Sequence, residues 1–215
     1  KAFADDDKAV HECAGIPVLH EAESLSPVIV SIGANRIRKM IVERMKSSDE
    51  SVKFGIAVHP TAVVSPSAKI GEGTVVMAGA VINADAVIGR HCIINTCASV
   101  DHDCVIGDYC HIAPHAAVCG LVQMGEGSMM GVGSSVIPCV KIGSWATIGA
   151  GAAVVRSVSC EPELIYHHNI PPETPLWKMQ TEKKTSDFMD SEGVLTIGPD
   201  TIQTVVVPIK KIEDR

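Results

Sequence analysis

The side chains best suited to chemistry sit in one tripeptide, Asp101-His102-Asp103. An imidazole has an ordinary pKa of about 6.5, so it is mostly neutral at pH 7 and can take a proton from an amine or a hydroxyl. A carboxylate beside it, Asp103, can orient the ring and stabilise the imidazolium that results. General-base assistance of this kind contributes on the order of 10²–10⁴-fold in rate. Eighteen residues further on stands Gly120, whose backbone N–H no side chain shields. Taken alone, the tripeptide reads more readily as a solvated surface turn, and the glycine equally as a turn residue. The element that holds them has to decide.

That element is a repeat. Every sixth residue from Val58 to Val154 is aliphatic or Met, seventeen times in succession. Two residues before nearly every one stands a small side chain such as Ala62, Thr74, Cys92, Cys104, Cys110 or Ser128. A period of six fits neither a helix nor a plain strand face. It marks short strands that turn a corner every six residues, the hexapeptide repeat of a parallel β-helix, here of about five coils. Three hexads close one triangular coil, so residues 18 apart stack at about 4.8 Å. Gly120 therefore falls one coil from His102 on the same face. The aliphatic and small members point inward; His102 occupies neither slot and projects from the surface. Glycines that follow the aliphatic member (Gly71, Gly89, Gly107, Gly125, Gly131, Gly143 and Gly149) are expected at turns whose backbone angles other residues avoid. One coil cannot bury its column alone, so stability comes from stacking.

Residues 1–55 read as part of a small α/β domain of Rossmann-like type. A strand at Lys1–Ala4 runs into the acidic turn Asp5-Asp6-Asp7, Ile16–Leu19 is a short apolar run, and Val28–Ile32 is a further strand. A helix follows Gly33-Ala34-Asn35, with Ile37, Met40, Ile41 and Met45 as its apolar face. The solenoid fills residues 56–156. Residues 157–215 form an extension without an assigned role: a loop at Glu161–Trp177, a polar linker at Lys178–Glu192, and strands at Val194–Ile197 and Thr201–Ile212. A net charge of −7 and 3% aromatic residues argue against nucleic-acid binding. No apolar run approaches a membrane span and no signal peptide is visible, although residue 1 is Lys. Eight cysteines include no CxxC pair. Cys92, Cys104 and Cys110 fill the small-residue slot as compact hydrophobes, and a reduced, cytoplasmic protein is expected.

Several stretches carry a resemblance: Ile32-Gly33-Ala34-Asn35 with Arg38, His59-Pro60-Thr61-Ala62, Met77–Gly89, Ile93–Pro114, Ser134–Gly143 and Ile148–Val155. Together they resemble the left-handed β-helix sugar acetyltransferases, in the branch that holds nucleotide-amino-sugar N-acetyltransferases and sialic acid O-acetyltransferases. The resemblance implies left-handed coils and a homotrimer with active sites between subunits. It also implies acetyl-CoA as co-substrate and, as acceptor, the amino group of a nucleotide-linked sugar used in surface glycan synthesis. Acetyl transfer from a thioester needs a base, a stabiliser for the tetrahedral oxyanion and a groove for pantetheine. By resemblance His102 is the base and Asp103 its orienting acid. Gly120 stands where the family places its oxyanion donor, a type of group whose loss costs about 3–4 kcal/mol. His111 matches a position that contacts acceptor or acetyl group, with Asn95 on a nearby segment, and the turn at Asp5 and Asp6 resembles a stretch that contacts the nucleotide.

Two departures stand out. The family pattern opens with a strand and a Gly-x-x-Gly-x-Gly-like loop, whereas this sequence opens at what corresponds to the second strand. The Gly-Asn-Pro-Ala-Lys-type ending that makes acetyl-CoA contacts does not follow Arg156, so no residue is assigned to the cofactor. Rival readings are O-acetyl transfer to sialic acid, a non-catalytic scaffold, and a γ-type carbonic anhydrase built on His91, His102, His111 and His115. The last is weakened by the four-residue spacing of His111 and His115, where that family shows five. The α/β lead-in ending in Gly33-Ala34-Asn35 separates this chain from serine and maltose or galactoside acetyltransferases and points to a nucleotide-sugar acceptor.

Overall fold

The computed structural model describes residues 3–5, 7–20 and 27–159. The strands expected after residue 190, and the loop and linker before them, lie outside those residues. Seventeen two-residue strands, β4 (Ala57–Val58) to β20 (Ala153–Val154), recur every six residues. They form three parallel sheets of six, six and five strands. Each strand pairs with those 18 residues away: Ile93 faces Val75 on one side and His111 on the other. The result is the left-handed parallel β-helix that the resemblance implies. Its three faces are named here by an outward residue of one coil: the Ser99 face (β11, Ser99–Val100), the Val105 face (β12, Val105–Ile106) and the His111 face (β13, His111–Ile112).

From Val76 to Val154 every sixth residue is buried, and the small-slot residues line the same interior. Val58 is 45% exposed, and Val64 and Ile70 are only partly covered, because the first coil has a stacking partner on one side. The corners differ from expectation. Left-handed backbone falls three residues after the aliphatic member, and non-glycine residues often hold it: His91 (φ 54°), Asp103 (φ 56°), Tyr109 (φ 59°) and Trp145 (φ 62°). This conformation costs roughly 1–2 kcal/mol per residue. Stacking offsets the cost, because the N–H of such a residue reaches a carbonyl of the neighbouring coil: His91 to Glu72, Asp103 to Ala84 and Tyr109 to Arg90, at 2.8–3.0 Å. The glycines after the aliphatic member provide clearance instead. A Cβ on Gly89 would lie 2.6 Å from the Asp108 backbone N, and one on Gly107 2.7 Å from that of Glu126.

The buried cysteines also do more than fill space. Along one corner Thr74 Oγ1 donates to the Gly89 carbonyl (2.8 Å), Cys92 Sγ to Gly107 (3.1 Å), Cys110 Sγ to Gly125 (3.1 Å) and Ser128 Oγ to Gly143 (2.6 Å). Each donor thus supplies a hydrogen bond to a part-buried carbonyl on the corner.

Before the solenoid, β1 (Phe3–Ala4), β2 (Glu12–Cys13) and β3 (Ile16–Leu19) form a small mixed sheet in the order β1-β3-β2. Val28–Ile32 is not a strand; only Val28 makes a bridge, to Phe54. The carbonyls of Ile32 and Gly33 are instead taken by Arg38 Nη1, at 2.7 and 3.2 Å. Helix α1 (Asn35–Ser48) follows, and its buried face is Arg38 and Val42 with Ile41 and Met45 part-covered, while Ile37 and Met40 are exposed. The helix is turned by Arg38, whose guanidinium would be costly to bury unless every donor were matched. It reaches the carbonyls of His91 (2.8 Å) and Tyr109 (2.8 Å) and the Asn35 side chain (2.8 Å). Around this clasp Phe54 meets His91 edge-on at 4.6 Å, and His91 stacks on Tyr109 at 5.2 Å. Lys39 pairs with Glu126 and Lys46 with Glu72. The helix thus docks on the corner between the Val105 and His111 faces.

Candidate active site

His102 stands on another corner, between the Ser99 and Val105 faces. The left-handed Asp103 brings its carboxylate back over the preceding side chain, and Asp103 Oδ2 lies 2.8 Å from His102 Nδ1. Asp101 Oδ1 accepts the His102 backbone N–H at 2.8 Å and also the Asn83 side-chain amide at 2.9 Å. With the Nδ1 proton engaged by Asp103, Nε2 carries the free lone pair. The Nε2 edge lies across the next coil: a Cβ on Gly120 would sit 2.6 Å from Nε2 and 2.8 Å from Cε1. Gly120 is therefore required by the ring, not by a turn, since its φ is not positive. Leu121 donates its N–H to the His102 carbonyl at 3.0 Å, which pins the two coils together, and the Gly120 carbonyl accepts from Cys139 of the coil beyond. Among the described residues no acceptor is found for the Gly120 N–H.

The ring is exposed, and the hydrogen bond to Asp103 raises its pKa above the ordinary histidine value, with the Asp101 and Asp103 charges adding to the effect. Such a pair can accept a proton at Nε2 and share the resulting positive charge with a carboxylate.

His111 and Asn95 form a second group, on the His111 face. Asn95 Oδ1 accepts the Thr96 N–H at 2.8 Å, so its amide nitrogen faces His111 Nε2 at 3.0 Å as the donor. The His111 proton then resides on Nδ1. Burial lowers the His111 pKa, and the nearby Arg38 charge lowers it further, so this imidazole stays neutral. No contact joins the two groups within one chain among the described residues. Asp5 is exposed, with its carboxylate accepting the Asp7 N–H at 2.8 Å; Asp6 lies outside the described residues. His115 is exposed at a left-handed corner, and His91 is sealed between Phe54 and Tyr109, out of reach of a metal shared with the other histidines. Among the described residues no set of three His, Cys, Asp or Glu is arranged to hold a metal ion. Two polar residues of the sites carry roles the motifs alone did not suggest. Asn83 was legible in principle, standing 18 residues before Asp101, and Arg38 was legible as a lone cation inside an otherwise apolar helix stripe.

A stacked hexapeptide solenoid with a histidine–carboxylate pair on a corner defines a hexapeptide-repeat transferase. The family model for the bacterial transferase hexapeptide (six repeats) matches residues 67–101 and 85–120. The structure is similar to the acetyltransferase domain of PglB from Neisseria gonorrhoeae FA1090 in complex with acetyl coenzyme A, at 39% identity and a TM-score of 0.69, over 74% of this chain and 79% of that one. It is also similar to PerB from Caulobacter crescentus in complex with CoA and GDP-perosamine, at 44% identity and a TM-score of 0.67, over 74% and 78%. A UDP-N-acetylbacillosamine N-acetyltransferase of Bacillus subtilis (strain 168) is 50% identical over 50 residues; that match spans 23% of this chain and only 22% of the relative. The chain belongs to the hexapeptide-repeat family of nucleotide-amino-sugar N-acetyltransferases. No helix among the described residues is long and apolar enough to cross a membrane.

Proposed function

We propose that this protein moves the acetyl group of acetyl-CoA to the amino group of a nucleotide-linked sugar, with His102 as general base. The observation that carries the reading is the His102 ring, held at Nδ1 by Asp103 and laid with Nε2 over Gly120. The neutral amine attacks the thioester carbonyl carbon while His102 Nε2 takes a proton from the nitrogen. The tetrahedral oxyanion is met by the Gly120 N–H, which is free of other acceptors and needs no reorganisation. The C–S bond then breaks, and the imidazolium, stabilised by Asp103, returns its proton to the departing thiolate. The CoA and GDP-perosamine bound by PerB and the acetyl coenzyme A bound by the PglB domain support both substrates.

His111 and Asn95 lie on a different face from His102, so they serve the same reaction only across subunits. A homotrimer with the site between neighbouring solenoids would set the His111 of one copy against the His102 of another. In that arrangement His111, kept neutral, contacts the acceptor or acetyl group, and Asp5 and Asp6 contact the nucleotide. The unbridged cysteines among the described residues support a reducing, cytoplasmic setting.

The test is CoA thiol release from acetyl-CoA with UDP-, GDP- and dTDP-linked 4-amino sugars and free sialic acid. Turnover with one nucleotide amino sugar supports the proposal and names its base. Turnover with sialic acid alone moves the protein to O-acetylation, and no turnover on any of them overturns the reading.

A further inference from the structure

The reactive turn depends on a residue in the coil below it. Asn83 ends its own hexad 18 residues before Asp101, and the parallel register that pairs Ile82 with Val100 places it under that carboxylate. Its Nδ2 donates to Asp101 Oδ1 at 2.9 Å, and the same oxygen accepts the His102 N–H at 2.8 Å. One carboxylate oxygen therefore ties the backbone of the base to the neighbouring coil. The same slot one coil lower holds Ser65, whose hydroxyl turns to Ser67 at 3.2 Å rather than to Asn83. A tether running from this slot to the next coil's side chain is thus found where Asn83 meets Asp101, while at Ser67 the hydroxyl takes the backbone N–H of Asp85. The amide also favours the ionised form of Asp101, being the largest cause of its lowered pKa, ahead of the His102 N–H.

We infer that Asn83 is a positioning residue for the acetyl transfer: through Asp101 it fixes the His102 turn so that Nε2 stays over Gly120. This inference rests on His102 being the general base. Asn83 touches no reacting atom; it acts on where the base stands, and a displacement of about 1 Å at a reacting group can cost up to 10²-fold.

The experiment is a double-mutant cycle on the intact protein, with acetyl-CoA and its best amino-sugar acceptor as probes. Asn83→Ala is expected to lower kcat about tenfold with KM for acetyl-CoA within about twofold of wild type, since an interaction that orients the base acts on the chemical step. Asp101→Ala is expected to cost at least as much. In the Asp101→Ala background, Asn83→Ala should cost less than about twofold more, because residues acting through one link are not additive. Ser65→Ala, at the same slot without the tether, should leave kcat unchanged. Additive losses, an equal loss in Ser65→Ala, or full activity of Asn83→Ala would each overturn the inference. His102→Ala assayed alongside separates the two levels. Near-complete loss there with full activity in Asn83→Ala sinks the positioning role alone. Full activity in both sinks the base assignment beneath it.

Discussion

Two corners of one prism carry a histidine whose ring lies over a glycine of the adjacent coil. At the docking corner a Cβ on Gly73 would meet His91 Nδ1 at 2.0 Å; at the reactive corner a Cβ on Gly120 would meet His102 Nε2 at 2.6 Å. The device is shared and the outcomes are opposite. His91 is fully buried, both ring nitrogens lack a hydrogen-bond partner among the described residues, and its pKa falls to about 4. Burial is the main cause; the Lys46 and Arg90 charges lower it further against the opposing pull of Glu72 and Asp108. His102 is exposed, held by Asp103, and its pKa rises. A glycine 18 residues from a histidine therefore signals only that a ring needs room. Solvent access and a carboxylate partner decide whether the ring packs away or stays open to take a proton.

The largest effect should come from the reactive corner. Gly120→Ala leaves the backbone unstrained but drives a methyl into the His102 ring, and kcat should fall on the order of 10²-fold, with the melting temperature nearly unchanged. A fully active variant would mean that the ring need not lie there. The matching change at the docking corner, Gly73→Ala, places a side chain at a φ of +74° against a ring that cannot move. It should cost about 3 kcal/mol in chemical denaturation while sparing the turnover of the folded fraction. Loss of turnover at full stability would erase the contrast between the corners.

Acid sharpens it next. His91 binds its proton more weakly folded (about 4) than unfolded (6.5), so its contribution to stability is lost as pH falls from 6.5 towards 4. That loss is about 3 kcal/mol in total. His91→Phe keeps the stack and removes the titration, so its stability relative to wild type should rise over this window. Parallel curves would show that His91 does not titrate there. The smallest effect is on the pH profile. Asp103 raises the His102 pKa, and the neutral base accumulates as pH climbs through that value. Asp103→Asn should therefore move the acidic limb of kcat/KM to lower pH, and an unmoved limb would remove Asp103 from the pair.

Much of this was legible in the sequence, because the period of six specifies an inward column wherever a coil has neighbours on both sides. Val58 and Val64 escaped it only because their coil is terminal. His102 and Gly120 were placed together by counting 18. What counting could not supply was orientation. The glycines after the aliphatic residues suggest turn formers, yet Gly89 and Gly107 are spacers between coils, and the left-handed positions fall to residues such as Asp103 and Tyr109 as well as to glycines such as Gly73. Apolar spacing alone misplaces the buried face of α1 because it gives no weight to Arg38, whose donors meet carbonyls from coils more than fifty residues away. Asn83 had the same disadvantage: its partner is close in space through stacking, not through any local motif.

We propose that His102, the exposed histidine over Gly120, is the base. This role is tested most directly by the steady-state kcat of His102→Ala against wild type, with acetyl-CoA and the best amino-sugar acceptor. With His102 as base, kcat falls by at least about 10²-fold, with KM for acetyl-CoA and the oligomeric state unchanged. A variant that turns over at near wild-type rate would contradict it and leave His102 a surface residue.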